Sequence, residues 1–246
     1  VFAPKAVDAD GVVAKEFAQA TAFFPSGGTP TAATLKALAP KFQNAATDSK
    51  GPEAVILVTD GGPNCDSSMT CDVDECIPNL DGDCPGSVGN CCAPPKGDGG
   101  NCIDRGPTLE AIHDVAALGA KVYVIGLAVG KPYESTLSQM AIAGGAPQPY
   151  APYYYPSDDL AALDGAFKQI AADLISCEIG LADPPTDMEL TNVYLDGTEL
   201  VQHPTNGWIW EGNDKIVLVG GACEALKTGK VKDVQVVTGC PTEVPK

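Results

Sequence analysis

The sequence predicts an α/β protein: a mostly parallel sheet with crossover helices, interrupted by a cysteine-rich insertion and followed by a small antiparallel β appendage. Apolar runs and helical periodicities alternate from Pro30 to Ile175, the pattern of parallel strands joined by helices. Seven of the ten cysteines fall between Cys65 and Cys102, in a stretch with no periodicity. Beyond Cys177 the pattern turns to short alternating runs around an Asp-Gly turn, a strong local hairpin signal. The predicted domains are residues 1–176, with the insertion at 61–103, and residues 177–246.

The elements follow in order. Asp8 to Phe24 carries Val13, Phe17 and Ala20 at helical spacing, with Asp8 or Asp10 as its cap. "SGGTPTAATLKALAPKF" gives a glycine turn, Thr29 as candidate N-cap, Pro30 at the first helical position and a helix from about Thr31. Pro40 ends or kinks that helix. The strand Ala54–Thr59, an apolar run followed by Asp60-Gly61-Gly62, reads as a buried parallel strand that delivers a carboxylate to its C-terminal edge. Open α/β sheets bind ligands at that edge.

After the insertion, "PTLEAIHDVAALGA" puts Leu109, Ile112, Val115 and Leu118 on one helical face, with Gly119 at the stop. "KVYVIGLAVG" is a second buried strand, "YESTLSQMAIAGG" a helix, and "YAPYYYP" a strand. "SDDLAALDGAFKQIAADLI" is a helix starting at Ser157 with two aspartates in its first turn. "ELTNVYLDGTELVQ", "GWIW", "DKIVLVGG" and "VKDVQVVTG" supply the strands of the appendage.

Composition narrows the function classes. Fifteen basic residues against 32 acidic ones give a formal charge of −17 over 246 residues, which argues against nucleic acid as a partner. An acidic surface suits hard cations and cationic surfaces. No apolar run reaches the ~18 residues of a membrane helix. Ten cysteines are too many for a reducing cytosol unless they hold metal. There is no Cys-x-x-Cys pair, and adjacent Cys91 and Cys92 lack finger spacing. Disulfides are the better account, with Cys65, Cys71, Cys76, Cys84, Cys91, Cys92, Cys102, Cys177, Cys223 and Cys240 as candidates. Seven lie in the insertion and three beyond it, so complete internal pairing requires a bridge between the two regions. The compartment is read as extracytoplasmic, either cell surface, outer membrane or secreted. The chain opens on "VFAPKAVDADGVVAKEF" without a signal peptide. An upstream segment is therefore expected, and that is where a lipid anchor would sit.

Two loops converge on one sheet edge: Gly27-Gly28-Thr29-Pro30-Thr31 ahead of a helix, and Thr59-Asp60-Gly61-Gly62 after a strand. With these loops, residues from about Asp8 to Ser176 resemble the von Willebrand factor A (VWA) domain family. The resemblance implies a doubly wound, Rossmann-like sheet with a metal-ion-dependent adhesion site, or MIDAS. In the family that site is made from Asp-x-Ser-x-Ser on the first strand, a threonine from a later loop and an aspartate after the central strand. "GGTPT" followed about 30 residues later by "VILVTDGG" matches the last two elements. Thr29 takes the threonine position, with Thr31 as the alternative, and Asp60 takes the aspartate position. The chain has no Asp-x-Ser-x-Ser on a strand; the nearest string, Asp66-Ser67-Ser68-Met69-Thr70, lies in the insertion. The family's first strand, first helix and an edge hairpin are expected before Val1. "TDGGPNC", "SCEIGL", "LDGTEL", "GWIW", "GACEAL" and "TGCP" are similar to the secreted, often lipid-anchored VWA proteins of myxobacteria, a group that includes an adhesin of gliding motility.

The resemblance implies an adhesion or protein-binding domain whose partner supplies an acidic group to Mg2+, Mn2+ or Ca2+. A hard dication prefers oxygen ligands and keeps a position open for a carboxylate. The plainer readings stand beside this one. Asp60 before glycine also suits a turn cap, and Thr29 a helix N-cap, although one hydroxyl has lone pairs for both roles. Asp66, Asp72, Asp74, Glu75, Asp81 and Asp83 fit no EF-hand frame and read as a solvated loop. His113 and His203 have no nucleophile or carboxylate at motif spacing, and Trp208 and Trp210 share one strand face as packing residues. No serine elbow, phosphate loop, zinc-histidine motif or catalytic dyad is visible, so the protein is read as not an enzyme. The alternative function is a metal-independent structural or assembly subunit of an extracellular complex.

Overall fold

The computed structural model describes residues 15–16, 18–19, 22, 28–42, 53–66, 68–71, 76–77 and 101–239. The chain forms two compact units, residues 1–30 with 64–103 and residues 31–63 with 104–246. Most of the helix predicted over Asp8–Phe24, and Cys84, Cys91, Cys92 and Cys240, lie outside the described residues; Lys15, Glu16, Ala18 and Gln19 are helical.

The larger unit is built on three parallel strands, β1 (Ala54–Thr59), β2 (Lys121–Leu127) and β3 (Tyr155–Ser157), in the order β1-β2-β3. Their register runs from Ala54 opposite Lys121 to Thr59 opposite Gly126, then from Ile125 opposite Tyr155 to Leu127 opposite Ser157. The helices are α1 (Thr31–Leu38), α2 (Arg105–Ala117), α3 (Lys131–Ala143) and α4 (Leu160–Leu174). Alternation along β2 assigns them to faces, because successive side chains of a strand point to opposite sides. Val122 and Val124 pack with Leu35 of α1, Ala111, Ile112 and Val115 of α2, and Leu137, Met140 and Ala141 of α3. Tyr123 and Ile125 pack with Ala166 and Ile170 of α4. Helices therefore cover both faces of β2, whose central residues are all buried, as its unbroken apolar run requires.

Several predicted elements are displaced. The apolar run of β1 reads as buried, yet β1 is the outer strand of the sheet among the described residues, and Ile56 and Val58 are 38% and 42% exposed. Apolar sequence reports what a strand could bury, not how many neighbours it has. Of "YAPYYYP" only Tyr155 onward pairs, since proline withdraws ladder donors from the stretch before it. Ser157 belongs to β3, and α4 is capped instead by Asp159, whose side chain accepts from the Ala162 N–H at 2.8 Å. α1 begins at Thr31, one residue after Pro30, and runs into a 3-10 turn at Ala39–Lys41 around Pro40.

Beyond Cys177 the same unit carries two three-stranded antiparallel sheets. Their strands are β4 (Glu178–Gly180), β5 (Thr191–Leu195), β6 (Thr198–Leu200), β7 (Gly207–Glu211), β8 (Lys215–Val219) and β9 (Val234–Thr238). The orders are β4-β8-β7 and β6-β5-β9. A short helix, α5 (Gly221–Lys227), was hidden in the sequence behind a Gly-Gly pair that reads as a turn. The sheets share one core of Val193, Trp208, Ile216, Leu218 and Ala222. Trp208 is 1% exposed, its indole N–H donating to the Leu200 carbonyl at 2.9 Å, and Trp210 meets it edge to face at 5.9 Å. The cystine Cys177–Cys223 fastens the chain entering this region to α5. The smaller unit has its own cluster, Cys76 and Cys102 with Met69 and Cys71, closed by Cys71–Cys102; Cys76 is also disulfide-bonded, and Cys65 is exposed.

Candidate functional site

β1 ends at the C-terminal edge of the parallel sheet, and the turn that follows is fixed by its own last residue. The buried Thr59 hydroxyl donates to the Gly61 carbonyl at 2.9 Å and accepts from the Gly61 N–H at 3.3 Å. This clasp turns the chain so that Asp60, between them, is exposed. Gly62 and Pro63 are buried, and the Pro63 carbonyl accepts from the Asp104 N–H at 2.7 Å. The chain thus leaves the larger unit at Pro63 and rejoins it beside the same point, which is how an insertion can interrupt the fold without disturbing the sheet. On the same unit Thr31 opens α1 and is 5% exposed. Ser157, the last residue of β3, is 3% exposed with its hydroxyl unpartnered among the described residues.

In the smaller unit, Thr29 is half-buried and held by its backbone. Its N–H donates to Asn64 Oδ1 at 2.7 Å, and its carbonyl accepts from the Asn64 N–H at 3.3 Å. Asn64 is 3% exposed. Sequence reasoning missed this residue, because its side chain acts on Thr29, 35 residues away, and not on a local turn. Thr29 and Asp60 belong to different units. Asp66 Oδ1 accepts from the Ser68 N–H at 2.9 Å and from the Ser68 hydroxyl at 2.6 Å, so this carboxylate is engaged locally.

The donor chemistry on the larger unit fits a hard dication: a carboxylate at Asp60 and a hydroxyl at Thr31 are oxygen ligands. The number does not fill a shell of about six. Among the described residues no three His, Cys, Asp or Glu side chains gather into a metal-holding group. The histidines take no part. His113 is exposed on α2, and His203 Nδ1 accepts from the Thr205 and Asn206 N–H groups at 3.3 and 3.4 Å, holding a turn before β7.

The observations define a disulfide-bonded α/β protein with a parallel sheet, two antiparallel sheets and an exposed carboxylate at the parallel sheet's C-terminal edge. No family model matches the chain, and no curated protein matches it. Among solved structures it is similar to the pilus adhesin SpaC from Lactobacillus rhamnosus GG, at 14% identity and a TM-score of 0.42. The likeness covers 87% of this chain and 29% of that one, so the chain spans under a third of the adhesin's length.

Proposed function

We propose that the protein is an extracytoplasmic adhesion or protein-binding domain of the VWA type. In this reading a divalent cation, Mg2+, Mn2+ or Ca2+, engages an acidic group of a partner, with Asp60 among its ligands and Thr31, the motif's alternative threonine, supplying the hydroxyl. The carrying observation is the exposed Asp60 at the C-terminal end of β1, held there by the Thr59 clasp. Helices on both faces of β2 support the doubly wound topology, and the disulfides support an oxidising compartment. A threonine hydroxyl is neutral, which leaves a bound dication electrophilic enough to attract a carboxylate.

The test uses the protein isolated from its source and follows Mn2+ by electron paramagnetic resonance. Asp60→Ala is expected to abolish Mn2+ binding while far-UV circular dichroism stays unchanged, because the side chain is solvent-exposed and supports no packing. Undiminished Mn2+ binding in that variant sinks the reading, and association that survives chelator supports the assembly-subunit alternative.

A further inference from the structure

Arg105 is the only arginine in the 246 residues, and it opens α2. A cation in the first turn of a helix opposes the helix dipole, and that turn holds no acidic residue to offset it. Lys36, Lys121, Lys168 and Lys215 each pair with a carboxylate. Arg105, in a chain of 32 acids, pairs with none among the described residues. Its polar contact there is made by the Nε–H, which donates to the hydroxyl of Thr136 on α3 at 3.4 Å. Thr136 is fully buried and Arg105 half-buried. The contact thus anchors the stem side of the guanidinium and leaves its two terminal amino groups without a partner among the described residues. A residue that opposes its own helix and keeps donors unengaged is of the kind that sequences retain at functional sites.

Its place is the C-terminal edge of the parallel sheet. The N–H of Asp104, the residue before it, donates to the carbonyl of Pro63, just past the turn at Asp60, and Thr136 lies on the helix that follows the C-terminal end of β2. We propose that Arg105 binds a carboxylate of the protein's partner, end-on through its two terminal amino groups. A guanidinium fork matches the two oxygens of a carboxylate and holds them bidentately. Charge selects this class over phosphate. One guanidinium balances a monoanion, whereas a phosphate group brings up to about two negative charges to an edge that already exposes Asp60. The field of a chain carrying −17 is screened beyond about 8–10 Å, so an acidic group is held only where a cation is local. The proposal rests on the adhesion reading above for the partner and its acidic group, but the contact is made without metal, so the two fail separately.

A single arginine gives a single Nε–H resonance, so nuclear magnetic resonance reads the site without assignment. The full chain, labelled with nitrogen-15 and kept in EDTA, is titrated with acetyl-Gly-Asp-Gly-amide, with its neutral counterpart acetyl-Gly-Asn-Gly-amide, with acetyl-Gly-Gly-Gly carrying a free terminal carboxylate, and with inorganic phosphate. Expected are a saturable shift of the Arg105 resonance by the Asp peptide and none by the Asn peptide. A stronger response to acetyl-Gly-Gly-Gly supports the same contact and places the carboxylate at a chain terminus. Arg105→Lys keeps the charge but loses the fork, and is expected to weaken binding of the Asp peptide roughly tenfold or more, read from the backbone amides of residues 104–106. Arg105→Gln is expected to abolish binding without lowering the melting temperature, because it removes a cation from a helix N-terminus. No shift with either carboxylate peptide, an equal shift with the Asn peptide, tighter binding of phosphate than of either carboxylate, or unchanged binding in Arg105→Lys would each overturn the proposal. A lowered melting temperature in Arg105→Gln would assign the residue to the fold instead.

Discussion

Tyr123 lies in the core beneath α4, 1% exposed, yet its hydroxyl donates to the carboxylate of Asp173 near the end of that helix. The same carboxylate takes the Lys121 ammonium at 2.9 Å. Hydrogen bonds from Lys121 first and Tyr123 second hold Asp173 below the ordinary carboxylate range, against the opposing effect of burial. Burial first, then Asp173, pushes the Tyr123 phenol up, so it stays a neutral donor throughout the physiological range. A carboxyl whose pKa is lower folded than unfolded stabilises the fold above its unfolded pKa, about 3.9 for Asp, and loses that contribution as pH falls through the folded value. Half of the Asp173 side chain is solvated, which keeps the effect near 0.5–1 kcal/mol, as for other screened pairs. Asp173→Asn is therefore expected to lower the melting temperature at pH 6 and to lower it by less at pH 2. Thermal melts at both values check this, and an equal gap at both would show that the contact is not electrostatic.

At the scale of elements, two glycines are required for different reasons. Gly197 sits with Asp196 at the tip of the β5–β6 hairpin, with φ of 78° and 48°, the positive pair a type I′ turn needs. A Cβ at Gly197 would meet open space, so Gly197→Ala costs only backbone strain, about 1 kcal/mol. Gly144 ends α3 with an ordinary φ of −74°, but a Cβ there would run into the Val122 carbonyl of β2. Gly144→Ala must part the helix from the sheet, an overpacking cost of roughly 1–3 kcal/mol. Urea unfolding should rank Gly144→Ala as the more damaging of the two, and the reverse order would place the turn above the interface. The hairpin was legible because Asp-Gly between alternating runs is a local code, and β1 was legible residue for residue because its apolar run is bounded by Glu53 and Asp60. Whether β1 has neighbours on both sides was not legible, since that is a property of the sheet and not of the strand. Asp60 could be read from its motif, whereas Asn64 acts through a partner, Thr29, distant in sequence, and no local pattern marks that pairing. The capping residue of α4 was misplaced by two positions because Ser157, Asp158 and Asp159 are all competent caps and only the end of β3 decides between them.

For the whole molecule, the disulfides and the division into units make distinct demands. Cys71–Cys102 closes a sequence separation of 31 in the smaller unit and Cys177–Cys223 one of 46 in the larger. In the chain-entropy account a loop of the latter length restricts the unfolded state by about 4 kcal/mol. Cys177 and Cys223 also border the core around Trp208, so their loss removes a constraint beside the region's largest buried side chain. The sheets beyond Cys177 belong to the same compact unit as the parallel sheet and its four helices, and α5 reaches α4. Stability lost at the cystine should then be lost by the entire unit rather than by the appendage alone. The double variant Cys177→Ser, Cys223→Ser is expected to lower unfolding free energy by about 2–5 kcal/mol. Trp208 and Trp210, both in that core, report it by fluorescence, while far-UV circular dichroism is weighted toward the helices around the parallel sheet. Coincident denaturation curves from the two probes, shifted together in the variant, are the expected result. A fluorescence transition that moves to lower denaturant while the helical signal stays in place would show that the antiparallel sheets fold independently, and the cystine would then be a staple for that region only.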